Sequence, residues 1–197
     1  MFVTDWLAWA TAFGTSAGIL ISRNWRINLI LTALQYVSVF WFLQSHWSLL
    51  QAAAFLIAGW MSCAILAIAH QESAPVESSA SSWPQGRLFR LTVTGIVLLV
   101  TLVGATRLNT WLTLSFPLLW GSLLLLGIGI LLLGLSLQPL RIILGLLTTL
   151  AGFAILYAAV EKSVLVISFL ILINLGLALA GSYFIEQTSE TRYKETA

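Results

Sequence analysis

Hydrophobic positions in this chain come as long unbroken runs, and the polar positions between them are short breaks. The runs are Trp6–Ile21, Ile27–Leu43, Leu49–Ala69, Leu91–Thr106, Leu112–Leu137, Leu140–Val160 and Leu165–Ile185. A helix needs roughly 20 consecutive apolar residues to cross the hydrocarbon of a bilayer. Membrane β-strands would instead alternate in polarity over segments of about ten residues. The pattern therefore predicts an all-α, polytopic transmembrane bundle of seven helices. The breaks read as turns: Ser22 to Arg26, Gln44 to Trp47, Arg107 to Trp111, Gln138-Pro139 and Glu161-Lys162. Pro117 falls near the start of the fifth run, where proline is tolerated. Only His70 to Gly86 is long and polar, with five serines and two prolines. A composition of that kind does not bury enough apolar surface to order itself.

These runs divide the chain into a three-helix membrane unit (1–70), a polar linker (71–86), a connecting transmembrane helix (87–111), a second three-helix unit (112–185) and a polar tail (186–197). The two units share a pattern. Arg26-Ile27-x-Leu29-x-Leu31 recurs as Arg141-Ile142-x-Leu144-x-Leu146, and the break at Gln44-Ser45-His46 matches Ala159-Val160-Glu161 at the same 115-residue offset. Two units separated by one crossing share one orientation, so the expectation is a pair of parallel three-helix repeats joined by a helix.

Composition reinforces the class. Charged residues are 8% of the chain and hydrophobic ones 59%, with a mean hydropathy of +0.98. An average soluble protein carries roughly a quarter charged residues. The net charge of +2 is small and scattered among loops, which argues against a nucleic-acid partner. The bilayer is the expected partner. Seven crossings with a non-cytoplasmic N-terminus and a cytoplasmic C-terminus place Arg23, Arg26, Arg87, Arg90, Arg141, Arg192 and Lys194 inside, against Arg107 and Lys162 outside. That is the positive-inside bias. The start of the chain lacks the basic residues of a signal peptide, so its first run is read as a helix. Cys63 is the only cysteine and lies in an apolar run, as a packing residue would.

Candidate chemistry is sparse. An ionisable side chain at membrane depth is a functional candidate by default, because burying it is costly. No run from the second to the sixth places a carboxylate, lysine or histidine at its centre. His46 and His70 stand at helix ends and make no metal or haem pair. No phosphate-binding glycine loop, zinc motif or nucleophile elbow is present, so no catalytic residue, metal site or cofactor is assigned. The intramembrane polar candidates are Gln35 and Ser38, Gln51 and Ser62, Thr148 and Thr149, and Asn174. Such groups bond between helices or order water. The basic turns carry Arg23, Arg26 and Arg141. Glycines inside the apolar runs, and Gly14-x-x-x-Gly18 in the first, suit close helix contact.

The segment Leu137-Gln138-Pro139-Leu140-Arg141-Ile142-Ile143-Leu144-Gly145-Leu146-Leu147 resembles the second-helix entry of the small chain 4L subunit of respiratory complex I. It is also similar to the C subunit of multisubunit sodium/proton antiporters and to hydrogenase-4 component E. Arg23-Asn24-Trp25-Arg26 followed by Leu34-Gln35 resembles the basic turn and Leu-Gln pair of component E. The resemblance implies a small membrane subunit packed against larger ion-translocating subunits. It carries over no proton-bearing residue, because the position of the family's buried glutamate is Leu147 here. The expected function is a non-catalytic membrane subunit of a complex I-like, hydrogenase-like or antiporter-like assembly. The alternatives are a small transporter built from two parallel three-helix repeats and a membrane assembly or scaffold protein.

Overall fold

A computed structural model describes residues 2–22, 24–72, 87–111, 114–136 and 138–196. Among them are seven helices: α1 (Phe2–Ile21), α2 (Trp25–Gln44), α3 (Leu49–Glu72), α4 (Arg87–Asn109), α5 (Phe116–Leu135), α6 (Pro139–Val160) and α7 (Val164–Thr196). Six are long and apolar enough to cross a membrane, and the apolar part of α1, Trp6–Ile21, is shorter. That defines the class: an integral, multi-pass helical membrane protein.

Local chemistry sets the helix starts. The Asn24 side chain accepts from the Arg26 backbone N–H at 3.1 Å and caps α2. Ser48 and Gln51 exchange bonds at the start of α3. The Gln51 Oε1 accepts from the Ser48 N–H at 3.1 Å, and the Ser48 hydroxyl accepts from the Gln51 N–H at 3.4 Å. This reciprocal pair is a capping box. Pro117 and Pro139 stand in the first turns of α5 and α6, where a missing N–H costs nothing.

Several helix limits differ from the apolar runs. Helix α5 begins at Phe116 rather than Leu112, because Ser115-Phe116-Pro117 supplies the natural N-terminal signal. Helix α4 covers Arg87–Asn109, beyond Leu91–Thr106 at both ends. Helix α7 continues through the tail to Thr196, although its apolar part stops at Ile185. The tail is rich in Glu, Gln, Lys and Arg, which are good helix formers, and it extends a helix already nucleated by the apolar part. Polarity ends a membrane span without ending a helix. The expected linker lies outside the described residues from 73 to 86, and α3 itself runs to Glu72.

Helices α1, α2 and α3 pack side by side, as do α5, α6 and α7. The two rows then meet counterpart to counterpart, α1 on α5, α2 on α6 and α3 on α7, while α4 lies against α5 and α1. Three buried clusters tie the rows together. Tyr36, Val39, Phe42 and Phe55 pack with Ala151, Ala154, Ile155 and Ile167. Leu29 and Leu66 pack with Leu144, Leu147 and Ala178. Ile19 and Leu20 pack with Leu124, Ile128 and Leu132.

Helices α5 and α6 have the closest approach. A Cβ at Gly152 would stand 2.8 Å from the Leu126 nitrogen and the Ser122 carbonyl oxygen. One at Gly129 would stand 2.7 Å from the Thr149 nitrogen, and one at Gly145 would stand 3.0 Å from the Gly129 carbonyl oxygen. Backbone meets backbone there, the contact small residues permit in membranes. The Gly14/Gly18 pair divides: Gly18 takes the Leu31 side chain, while Gly14 faces open space, as do Gly134 and Gly176.

Candidate functional site

The deepest polar cluster joins α2, α3 and α7. The Asn174 amide Nδ2 donates to the Tyr36 hydroxyl at 2.8 Å, and the Ser62 hydroxyl donates to Asn174 Oδ1 at 2.9 Å. All three residues are at most 1% exposed. The Tyr36 ring lies flat over Gly59 of α3, in the space a Cβ would occupy. Glycine at 59 lets the ring pass, and the ring's hydroxyl reaches Asn174. The amide is thereby held from both ends by side chains of two other helices.

A second set of polar groups faces the space between α1, α2, α5 and α6. Asn28, Gln35 and Phe42 follow one another at intervals of seven residues on α2 and so share a face. Phe42 shows where that face points, because a Cβ on Gly121 of α5 would meet its ring at 3.0 Å. On one side of this face, Ser38 bonds Thr11 of α1 at 2.8 Å. On the other, the Ala33 carbonyl accepts from the Trp60 indole of α3 at 3.1 Å. Gln35 is 1% exposed, Asn28 1% and Ser16 of α1 0%. Neither end of the Gln35 amide has a hydrogen-bond partner among the described residues, nor do Asn28 Oδ1 and Ser16 Oγ.

The other candidates have local roles. Gln51 stands in the first turn of α3, in the capping box, and not at depth. Thr148 and Thr149 donate to carbonyls of their own helix, Leu144 and Gly145, each at 2.8 Å. Arg141, half-buried at the start of α6, donates to the Ser22 carbonyl at 2.6 Å and fastens the α1–α2 turn. Arg26 is exposed with its guanidinium 5.2 Å from the Trp25 ring centre, and Trp25 also meets the His70 ring at 4.8 Å. Arg23 lies outside the described residues. Among the described residues no group of three His, Cys, Asp or Glu side chains is placed to hold a metal ion.

Sequence reasoning singled out Asn174, Gln35 and Ser62 but not Tyr36, Asn28 or Ser16. Tyrosine in an apolar run reads as one more aromatic, and nothing local marks its hydroxyl as bonded. Asn28 sits one turn from a basic loop and reads as part of it.

No protein-family model, no curated protein and no solved structure matches this chain.

Proposed function

We propose that this chain is a non-catalytic integral membrane subunit of a complex I-like, hydrogenase-like or cation/proton antiporter-like assembly, packed against ion-translocating subunits. The observation that carries the reading is the counterpart packing of the two rows, α1 on α5, α2 on α6 and α3 on α7. Helix starts recur in step with it: Phe2 and Phe116, Trp25 and Pro139, Leu49 and Val164. We read the rows as two parallel three-helix repeats related by a sideways shift. A two-fold axis along the membrane normal would instead set α1 against α7. A shift is a heterologous contact and does not close on itself, so an outer row face remains open to another helical unit. The Asn174–Tyr36–Ser62 cluster adds support: its amide is spent on joining helices.

In this reading the basic turns at Arg23, Arg26 and Arg141 and the end of α7 lie on the cytoplasmic side, with Lys162 opposite. The decisive experiment is purification from native membranes in mild detergent. Stoichiometric large membrane subunits that copurify with the chain support the proposal. A lone oligomer that transports a solute on reconstitution overturns it.

The unpartnered Gln35 favours one other reading, a small transporter with its site between the rows. Such a protein would rock its repeats about that site. The α5–α6 backbone contacts lie within one row and do not hinder that motion. Solute flux from the purified chain alone separates the two readings.

A further inference from the structure

Among the described residues seven side chains carry buried hydrogen-bonding atoms without a partner; four are Trp or His rings, and the other three are Ser16 Oγ, Asn28 Oδ1, and both ends of the Gln35 amide. The placement of these three is shared. Thr11 meets Ser38 and Gly18 meets Leu31 across the antiparallel α1–α2 pair. That register sets Ser16 level with Ala33, between Asn28 and Gln35 in depth. Ser16 stands seven residues beyond Trp9, which stacks on Trp120 of α5 with ring centres 4.2 Å apart. Its face of α1 is therefore the one turned toward α5. Gln35 and Asn28 share the face of α2 from which Phe42 reaches Gly121 of α5. Gln35 and Asn28 thus look into the space enclosed by α1, α2, α5 and α6, and Ser16 borders it from the α5-facing side of α1.

No side chain of the opposing helices bonds these atoms; the Trp9 and Trp120 indoles, also without partners among the described residues, stack on each other at the Phe42 end of this face. Buried on the opposing helices are Leu124 and Ile128 of α5 and Leu144 and Leu147 of α6. The hydroxyl of Thr148, buried on α6, is engaged with its own helix. An amide left unbonded at both ends in hydrocarbon is costly, and buried polar groups are almost always paired with protein or ordered water.

We propose that Ser16, Asn28 and Gln35 form an internal site for a neutral, hydroxyl-bearing guest: a short file of water molecules, or a small polyol of the same chemistry. Charge disfavours an ion. The three groups are neutral, and an ion held there would lack a counter-charge in the membrane interior. Spacing favours several hydroxyls over one. Seven residues of helix separate Asn28 from Gln35 by about 10.5 Å, while one hydrogen bond spans about 2.8 Å. Two or three oxygen atoms in a row bridge that distance, with Ser16 contributing from the facing helix. The inference does not depend on the subunit reading, since a site of this kind suits a subunit or a transporter.

The test uses the full chain in lipid nanodiscs. Gln35→Met keeps the length of the side chain and removes its polar atoms. If the amide is truly unbonded, this variant melts higher than the parent. If a guest bonds it, the variant melts lower, by about 2–4 °C for a chain of this size. Ser16→Ala also melts lower in that case, and the double variant loses less than the two singles together, because both act on one guest. Hydroxyl-radical labelling in oxygen-18 water supplies a second readout: Phe42 and Leu31 take up the label in the parent and lose it in Gln35→Met. Adding glycerol then identifies the guest. An unchanged midpoint assigns water, and a rise that requires Gln35 assigns a polyol. A Gln35→Met midpoint above the parent's, with additive variants and no labelling, overturns the site.

Discussion

Asn174 is the residue on which three helices depend. Its amide bonds Tyr36 and Ser62 at once, so Asn174→Leu removes two interhelical bonds and leaves a buried tyrosine hydroxyl unpaired. Interhelical bonds in membranes contribute about 0.6 kcal/mol each on average, and an unsatisfied buried group costs roughly 1–3 kcal/mol. Asn174→Leu is expected to lower unfolding free energy in detergent by about 2 kcal/mol, and Tyr36→Phe by less. Equal stability of Asn174→Leu and the parent would show that the cluster is dispensable. Glycines offer a sharper comparison. A methyl at Gly59 enters the Tyr36 ring, whereas one at Gly176 meets open space. Gly59→Ala should therefore lose stability, while Gly176→Ala should hold or gain slightly from its better helix propensity. Asn174 was conspicuous in the sequence as an amide in an apolar run. Its partners were not, because Tyr36 and Ser62 lie 138 and 112 residues away.

At the scale of the element, the α5–α6 pair depends on what its glycines lack. Gly152→Leu drives a side chain into the Ser122 and Leu126 backbone, and backbone cannot turn aside as a side chain can. The helices must separate, at a cost of about 3 kcal/mol or more by analogy with overpacked cores. Gly134→Leu, in open space on the same α5, is the matched control and should fold normally. Thermal aggregation assays on the two variants read the difference, and equal midpoints would refute the backbone contact. A smaller effect belongs to the capping box. Ser48→Ala should cost α3 about 1 kcal/mol, measurable as earlier exchange of the first-turn amides. The existence and order of the helices were legible from their apolar runs, and the Gln138-Pro139 break marked the start of α6. The end of α7 was not legible from polarity, because polar residues stop membrane insertion but still form helix.

For the whole molecule, the charge bias makes a topological claim. Cysteines at Ser22 and Thr196 in a Cys63-free background should label from the cytoplasmic face and one at Ser163 from the other. Labelling of all three from one face would refute seven crossings. Ion flux is the complementary test. Amides order water but do not hold a proton at neutral pH, and ionisable groups at depth cost at least ~2.5 kcal/mol each. The purified chain alone in liposomes is expected to show no proton or sodium flux above background. Robust electrogenic flux would displace the subunit reading in favour of the transporter.

The sequence by itself determined the class, the number of helices and the absence of charged residues from the centres of α2 to α6. Those follow from length and polarity, which act locally and leave a linear record. Pairing was decided only by tertiary structure. Helix-to-helix contact in a bilayer rests on shape, small residues and a few hydrogen bonds, since lipid is as apolar as leucine. No run of Leu and Ile announces which neighbour it will meet. So the sequence marked Gln35 and Asn174 as the same kind of residue. The fold separated them, giving Asn174 two partners and leaving Gln35 with none among the described residues. The cause is register: Tyr36 passes Gly59 to reach α7, while Gln35, one residue earlier, turns toward a space lined by leucine and isoleucine.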